Sequence, residues 1–177
     1  MSYDYSENIL VQESAGHLLE RELGWEVAFA YNTEQLGKDG TFGRTSYREI
    51  LLTRYFRQAL QRLNPWLTSA QMDEAQKKME SRLSTASPMQ INEEKYALIR
   101  DGIPVTVKRP DGRTEEKKAA VIDFQHPNDP KRNHFLAIKE LKIHGDLYRR
   151  RTDIVGFVNG IPLLFVELKK NTVDVQN

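Results

Sequence analysis

The apolar positions change period part-way along the chain. Up to about residue 101 they recur at three- and four-residue intervals, as on the inner stripe of a helix; from residue 103 they alternate or run together, as in strands. Residues 6–23 predict a helix: Ser6 can cap it, acids fill its early turns, and Gly24 stands where a glycine ends a helix. Residues 25–31 alternate loosely and predict a short strand, and the glycine-containing segment 32–45 predicts a long loop. Ser46 and Glu49 have capping-box spacing, which predicts a helix carrying Ile50, Leu51, Tyr55, Ala59 and Leu63 inward and stopping at Asn64-Pro65. Thr68 and Gln71 form a second such box, for a helix with Met72, Ala75, Met79 and Leu83 on its inner side. A shorter helix is predicted from Asn92 to just before Gly102.

Strands are predicted over 103–108, 115–124, 135–143, 153–158 and 161–169, the first two joined by the turn residues Arg109-Pro110-Asp111-Gly112-Arg113. Helices followed by mostly antiparallel strands indicate an α+β protein. The last strand is apolar on both faces, with Leu164, Val166 and Leu168 on one and Leu163 and Phe165 on the other. Either the amino-terminal helices cover both faces or a further helix follows; the pattern leaves the two readings open.

Composition narrows the chemistry. The chain has 177 residues and no Cys, which excludes a disulfide scaffold, a thiolate zinc site and a cysteine nucleophile. The apolar runs 161–166 and 119–122 fall well short of the roughly 20 residues of a membrane span, and the first residues are polar and acidic, unlike a signal peptide. A cytoplasmic protein without membrane contact is expected. The net charge of +1 hides segregation. Residues 1–26 hold six acids and one base, residues 44–62 five Arg and one Glu, and residues 131–151 seven bases and two acids. A basic surface for a nucleic acid is therefore compatible with the total.

The richest segment is 149–170. Glu167 and Lys169 share a strand face because side chains alternate with period two. Whether Asp153 joins them depends on the turn at Asn159-Gly160. A strict two-residue hairpin sets Asp153 opposite Val166 and sends the two acids to opposite faces; a three-residue loop or a bulge converges Asp153, Glu167 and Lys169. Converged, two carboxylates suit a hard divalent cation such as Mg²⁺, and a lysine beside it suits an activated water or the charge of a phosphoryl transition state. The plainer alternative is a set of ordinary strand-end charges, although acids seldom border so apolar a strand pair without a partner. Arg149, Arg150, Arg151 and Lys170 are candidate phosphate contacts, or else a solvated strand end. His17, His126, His134 and His144 are scattered and show no metal-ligand spacing.

The spacing Asp153-x13-Glu167-x-Lys169 across two strands resembles the PD-(D/E)xK nuclease superfamily. The run from Arg149 to Lys169 (RRRTDIVGFVNGIPLLFVELK) is similar to the N-terminal nuclease domain of type I restriction endonuclease R subunits, as are Gln12-Glu13, Leu23-Gly24-Trp25, the segment 39–44, Arg62-Leu63-Asn64-Pro65 and Asn133-His134-Phe135-Leu136. The resemblance covers nearly the whole chain; Thr152 departs from it, standing where the superfamily has Pro. It implies a restriction-endonuclease-like core, an α/β sandwich whose mixed sheet is flanked by helices. The whole chain, 1–177, would be an N-terminal endonuclease domain with a helical insertion at about 46–101 and a strand-rich catalytic part at about 103–170. Asp153 and Glu167 would be metal ligands for Mg²⁺, Lys169 the catalytic lysine, and Glu13 a further acid from the first helix, although acids near a helix start also suit its dipole. The implied partners are double-stranded DNA and the methyltransferase and specificity subunits of a type I complex. ATP would act only through downstream motor domains, since no Walker motif occurs here. A following helix with a Gln-x-x-x-Tyr motif completes many relatives, so the isolated fragment is expected to cut poorly. The alternative is a catalytically silent nuclease-fold module that binds DNA or partner subunits.

Overall fold

A computed structural model describes residues 7–81, 87–145 and 147–168. In chain order the elements are α1 (Glu7–Arg21), β1 (Glu26–Phe29), α2 (Thr53–Leu63), α3 (Ser69–Glu80), α4 (Pro88–Asp101), β2 (Ile103–Lys108), β3 (Thr114–Ala119), β4 (Phe135–Lys139), β5 (Lys142–His144), β6 (Arg149–Arg151), β7 (Ile154–Val158) and β8 (Ile161–Val166). The fold is α+β. The chain divides into two compact units, one made of residues up to 52 with those from 135 on, the other of 53–134.

In the first unit a mixed sheet runs in the order β1-β4-β7-β8. β1 lies parallel to β4, and the other pairings are antiparallel. α1 covers one face through Ala15 and Leu19, which meet Ala137, Ile154, Trp25, Val27, Val166 and Leu168. Gly24, at φ 67°, ends the helix and turns Trp25 toward the sheet. The indole then fills the space above Gly156, where an added Cβ would lie 2.8 Å from Trp25 Cζ3 and 2.9 Å from Leu164 Cβ. β7 is buried on both faces, whereas Leu163, Leu164 and Phe165 of β8 are exposed.

Three expectations are revised here. The predicted strand 135–143 is two strands, because Glu140 adopts φ 57° and breaks the pleat. β6 had no hydrophobic alternation to signal it, being three exposed arginines. The Ser46–Glu49 box builds a turn instead of opening a helix. Glu49 accepts from the Thr45 amide and hydroxyl, the Glu49 carbonyl accepts from Arg44 Nη1, and the Leu52 amide donates to Gly160. With its capping groups committed elsewhere, the helix starts only at Thr53 and buries Phe56, Ala59 and Leu60 rather than Tyr55 and Leu63. The loop before it folds around Arg44, 1% exposed, whose guanidinium grips both Glu34 oxygens at 2.9 and 2.7 Å and donates to the Lys142 carbonyl at 3.1 Å.

In the second unit α3 starts at the predicted Thr68 box, and Ala75 and Met79 are buried; Leu83 lies outside the described residues. α4 begins four residues earlier than Asn92 because Ser87 and Gln90 form another box with Pro88 in the first turn. The β2–β3 hairpin, which the sequence pattern groups with the later strands, belongs to this helical unit. β3 stops at Ala119, short of 124, because the Asn64 side chain takes both backbone groups of Ala120, at 2.8 and 2.7 Å. Beyond it, Asn133 brackets the backbone of Asp123, accepting from its amide and donating to its carbonyl. The Arg132 guanidinium, 2.6 Å from Asp123 Oδ2, holds the Asp123 carboxyl down at about 2, helped by the His126 and Gln125 amides against partial burial. No helix among the described residues is long and apolar enough to cross a membrane.

Two outcomes follow. Gly156→Ala forces the indole or the strand pair apart and should cost about 1–3 kcal/mol in urea unfolding. Asp123 has a lowered folded-state pKa, so its contribution is complete above the unfolded value of about 4 and lost as pH falls toward 2. Acid titration followed by circular dichroism should show a loss of stability in that window, and Asp123→Asn should remove the part due to this carboxylate.

Candidate active site

The β7–β8 hairpin decides where the acids go. Its turn is the strict two-residue kind: Asn159 and Gly160 sit at φ 52° and 80°, and Val158 pairs with Ile161. Continued unbroken, that register would place Asp153 opposite Val166. It does not continue. Phe157 pairs with Pro162 but Gly156 pairs with Leu164, so Leu163 is an extra residue in β8. The register then runs through Val155–Phe165 and Ile154–Val166, where the ladder ends; extended by one step it sets Asp153 opposite Glu167. The bulge supplies the parity shift that the turn alone denies. Both acids line one cavity of about 550 Å³, with Arg150, Arg151, Tyr148 and Phe165 among its walls.

Asp153 is clamped. Its Oδ2 accepts the Leu168 amide at 2.6 Å, its Oδ1 accepts Gln12 Nε2 of α1 at 3.1 Å, and its carbonyl accepts the Glu140 amide at 2.9 Å. Thr152, the position at which the sequence departs from the motif it resembles, is buried and donates both its amide and its hydroxyl to the Leu141 carbonyl, at 3.0 and 3.2 Å. A proline has no N–H for the first bond. Glu167 is exposed toward the cavity.

The other expected residues are placed unequally. Lys169 and Lys170 lie outside the described residues. Glu13 is exposed on α1, and it is the adjacent Gln12, which the resemblance includes but to which the sequence assigned no role, whose side chain reaches Asp153. The three arginines of β6 separate by strand alternation. Arg151 and Arg149 share a ribbon face with Lys142 and His144, whereas Arg150 shares the other with Ile143. Arg151 is held at 3.2 Å by Glu140 and stacks 4.7 Å over Tyr31, so it is largely spent on the fold. Arg150 is exposed, lines the cavity and lies over exposed Tyr148.

Two opposed carboxylates are a sufficient protein share for Mg²⁺, which keeps several waters and needs only one or two of them. Among the described residues no group of three or more His, Asp or Glu gathers, so a site here rests on the Asp153–Glu167 pair.

Residues 4–177 match the family described as the type I restriction enzyme R protein N terminus. The chain belongs to that family. This R-protein N terminus is 30% identical over 150 residues to the type I restriction enzyme HindI endonuclease subunit of Haemophilus influenzae, covering 84% of this chain and 14% of that protein. It is 28% identical over 132 residues to a protein provisionally named type I restriction enzyme MjaIXP endonuclease subunit in Methanocaldococcus jannaschii, covering 71% of this chain and 12% of that one. The matched region thus spans about one seventh or less of these relatives. No solved structure matches the chain significantly.

The register can be tested directly because the R-protein N terminus has no native cysteine. Opposed strand residues lie about 4.5–5.5 Å apart at Cα, within disulfide range. The double variant Asp153→Cys/Glu167→Cys should cross-link under mild oxidation and shift on a non-reducing gel. Asp153→Cys/Val166→Cys should not; the reverse result would show that the bulge is absent in solution.

Proposed function

We propose that this chain is the DNA-cleaving part of a type I restriction subunit, hydrolysing phosphodiester bonds of double-stranded DNA in defence against foreign DNA. The observation that carries the reading is the bulge, which turns Asp153 and Glu167 to one face of one cavity. A Mg²⁺ ion held by these two carboxylates would polarise the scissile phosphate and lower the pKa of a bound water. The residues supply the rest. Asp153, gripped on both oxygens, keeps its orientation as substrate arrives. Glu167 brings the second negative charge from the exposed side. Arg150, on the cavity wall, draws a phosphate toward them. Lys169 is assigned from the family pattern the task of steadying charge on the transition state.

In the complete subunit we assign ATP-driven translocation to motor domains outside the matched region, and to the methyltransferase and specificity subunits of a cytoplasmic complex the choice of target. The reading makes a clear demand on the intact subunit. Asp153→Asn, Glu167→Ala and Lys169→Ala should each lower Mg²⁺-dependent cleavage by at least about a hundred-fold while ATP hydrolysis persists. Arg150→Ala should weaken DNA binding and reduce its salt dependence by about one phosphate contact, measured by fluorescence anisotropy at several salt concentrations. Binding by the wild-type subunit without any cutting would instead establish a silent DNA-binding module.

A further inference from the structure

We propose that Gln12 is a positioning residue that presets Asp153 for a divalent cation, so that α1 contributes a neutral amide to the site and not a third carboxylate. The inference rests on the metal-site reading above and deepens it. Gln12 is 9% exposed, and its Nε2 lies 3.1 Å from Asp153 Oδ1. An ionised carboxylate only accepts, so the carboxamide must present its N–H₂ to that oxygen. The other oxygen is taken by the Leu168 amide at 2.6 Å. Each oxygen of Asp153 thus has one neutral donor and one lone-pair direction left over. Neither donor adds charge that competes with a cation, and together they fix the rotation of the carboxylate. They also tie the carboxylate to two elements at once, the first helix and the end of the Glu167 strand. Glu13, one residue on, points from a different side of the helix and is exposed. Outer-shell donors of this kind tune a metal site by orientation, and their loss commonly weakens metal binding by tens of fold.

The test uses Mn²⁺ as the cation, read by isothermal titration calorimetry and by the electron paramagnetic resonance of free Mn²⁺, on the full chain. Gln12→Met keeps the length of the side chain and removes the donor. It should weaken Mn²⁺ binding by at least about ten-fold, and in the intact subunit its cleavage should recover when Mn²⁺ is raised by the same factor. Gln12→Asn keeps the carboxamide but falls one methylene short, and should show the same loss. It serves as the second variant if Gln12→Met does not fold. Glu13→Gln should bind within two-fold of the wild type. Wild-type Mn²⁺ affinity in folded Gln12→Met or Gln12→Asn, or a large loss in Glu13→Gln, overturns the inference. Asp153→Asn separates the two levels: if it too binds Mn²⁺ normally, the metal site itself is wrong, whereas if it alone loses binding, only the role of Gln12 fails.

Discussion

One extra residue in one strand governs the candidate site. An Asn-Gly turn with both residues at positive φ closes a two-residue hairpin whose natural register would separate the acids. Leu163 breaks that register after two pairs and resets it for the remaining three. Since strand side chains alternate, the shift of one position is an all-or-none switch of faces for everything beyond it. Ile154, Val166 and Leu168 thereby fall together under α1, and Asp153 and Glu167 fall together on the cavity side. The packing of the core and the pairing of the acids are consequences of the same bulge, so neither can change without the other.

The bulge aims the acids, and local hydrogen bonding then holds one of them. The β4–β5 corner is laced to the residues before β7: the Glu140 amide donates to the Asp153 carbonyl, and the Leu141 carbonyl receives both donors of Thr152. Glu140 can donate there because its left-handed backbone ends β4 at the right place, and its side chain then anchors Arg151. Behind this, buried Arg44 joins the 32–52 loop to the Lys142 carbonyl through charge-assisted bonds to Glu34. The arrangement places rigid backbone beneath Asp153 and leaves Glu167 exposed.

Much of this was legible in the residues, for reasons that can be stated. The α3 capping box and the β2 strand stand almost where the sequence places them, since their signals are local. The Ser46–Glu49 box misled because the same side chains found better partners in Thr45, and Arg44 took the Glu49 carbonyl that a helix would have used. β6 was invisible because three exposed arginines carry no periodicity. At the site, the pattern stated the right condition, a bulge or an odd loop, without deciding it. Gln12 stood in the sequence only as part of the family resemblance, because an uncharged amide gives no ligand signal until the fold brings it to Asp153.

A cue to the bulge did lie in the chain. Pro162 has no N–H to give to a ladder, and proline inside a sheet is tolerated on edge strands and at bulges. β8 is at the edge of the sheet among the described residues, and Pro162 immediately precedes the extra residue. An Asn-Gly turn followed two residues later by proline is thus self-consistent: the turn is tight, the ladder fails just beyond it, and the register is free to slip by one. The same alternation argument reaches the charges. Three adjacent arginines look like one basic patch, but a strand cannot present all three on one face. Arg151 and Arg149 turn toward the aromatic side with Lys142; Arg151 also reaches the cavity wall but is engaged by Glu140 and Tyr31, whereas Arg150 lines the cavity from the other strand face. The basic approach to the acids is therefore narrower than the run of charge suggests, and its sharpness comes from backbone geometry, not from the number of bases.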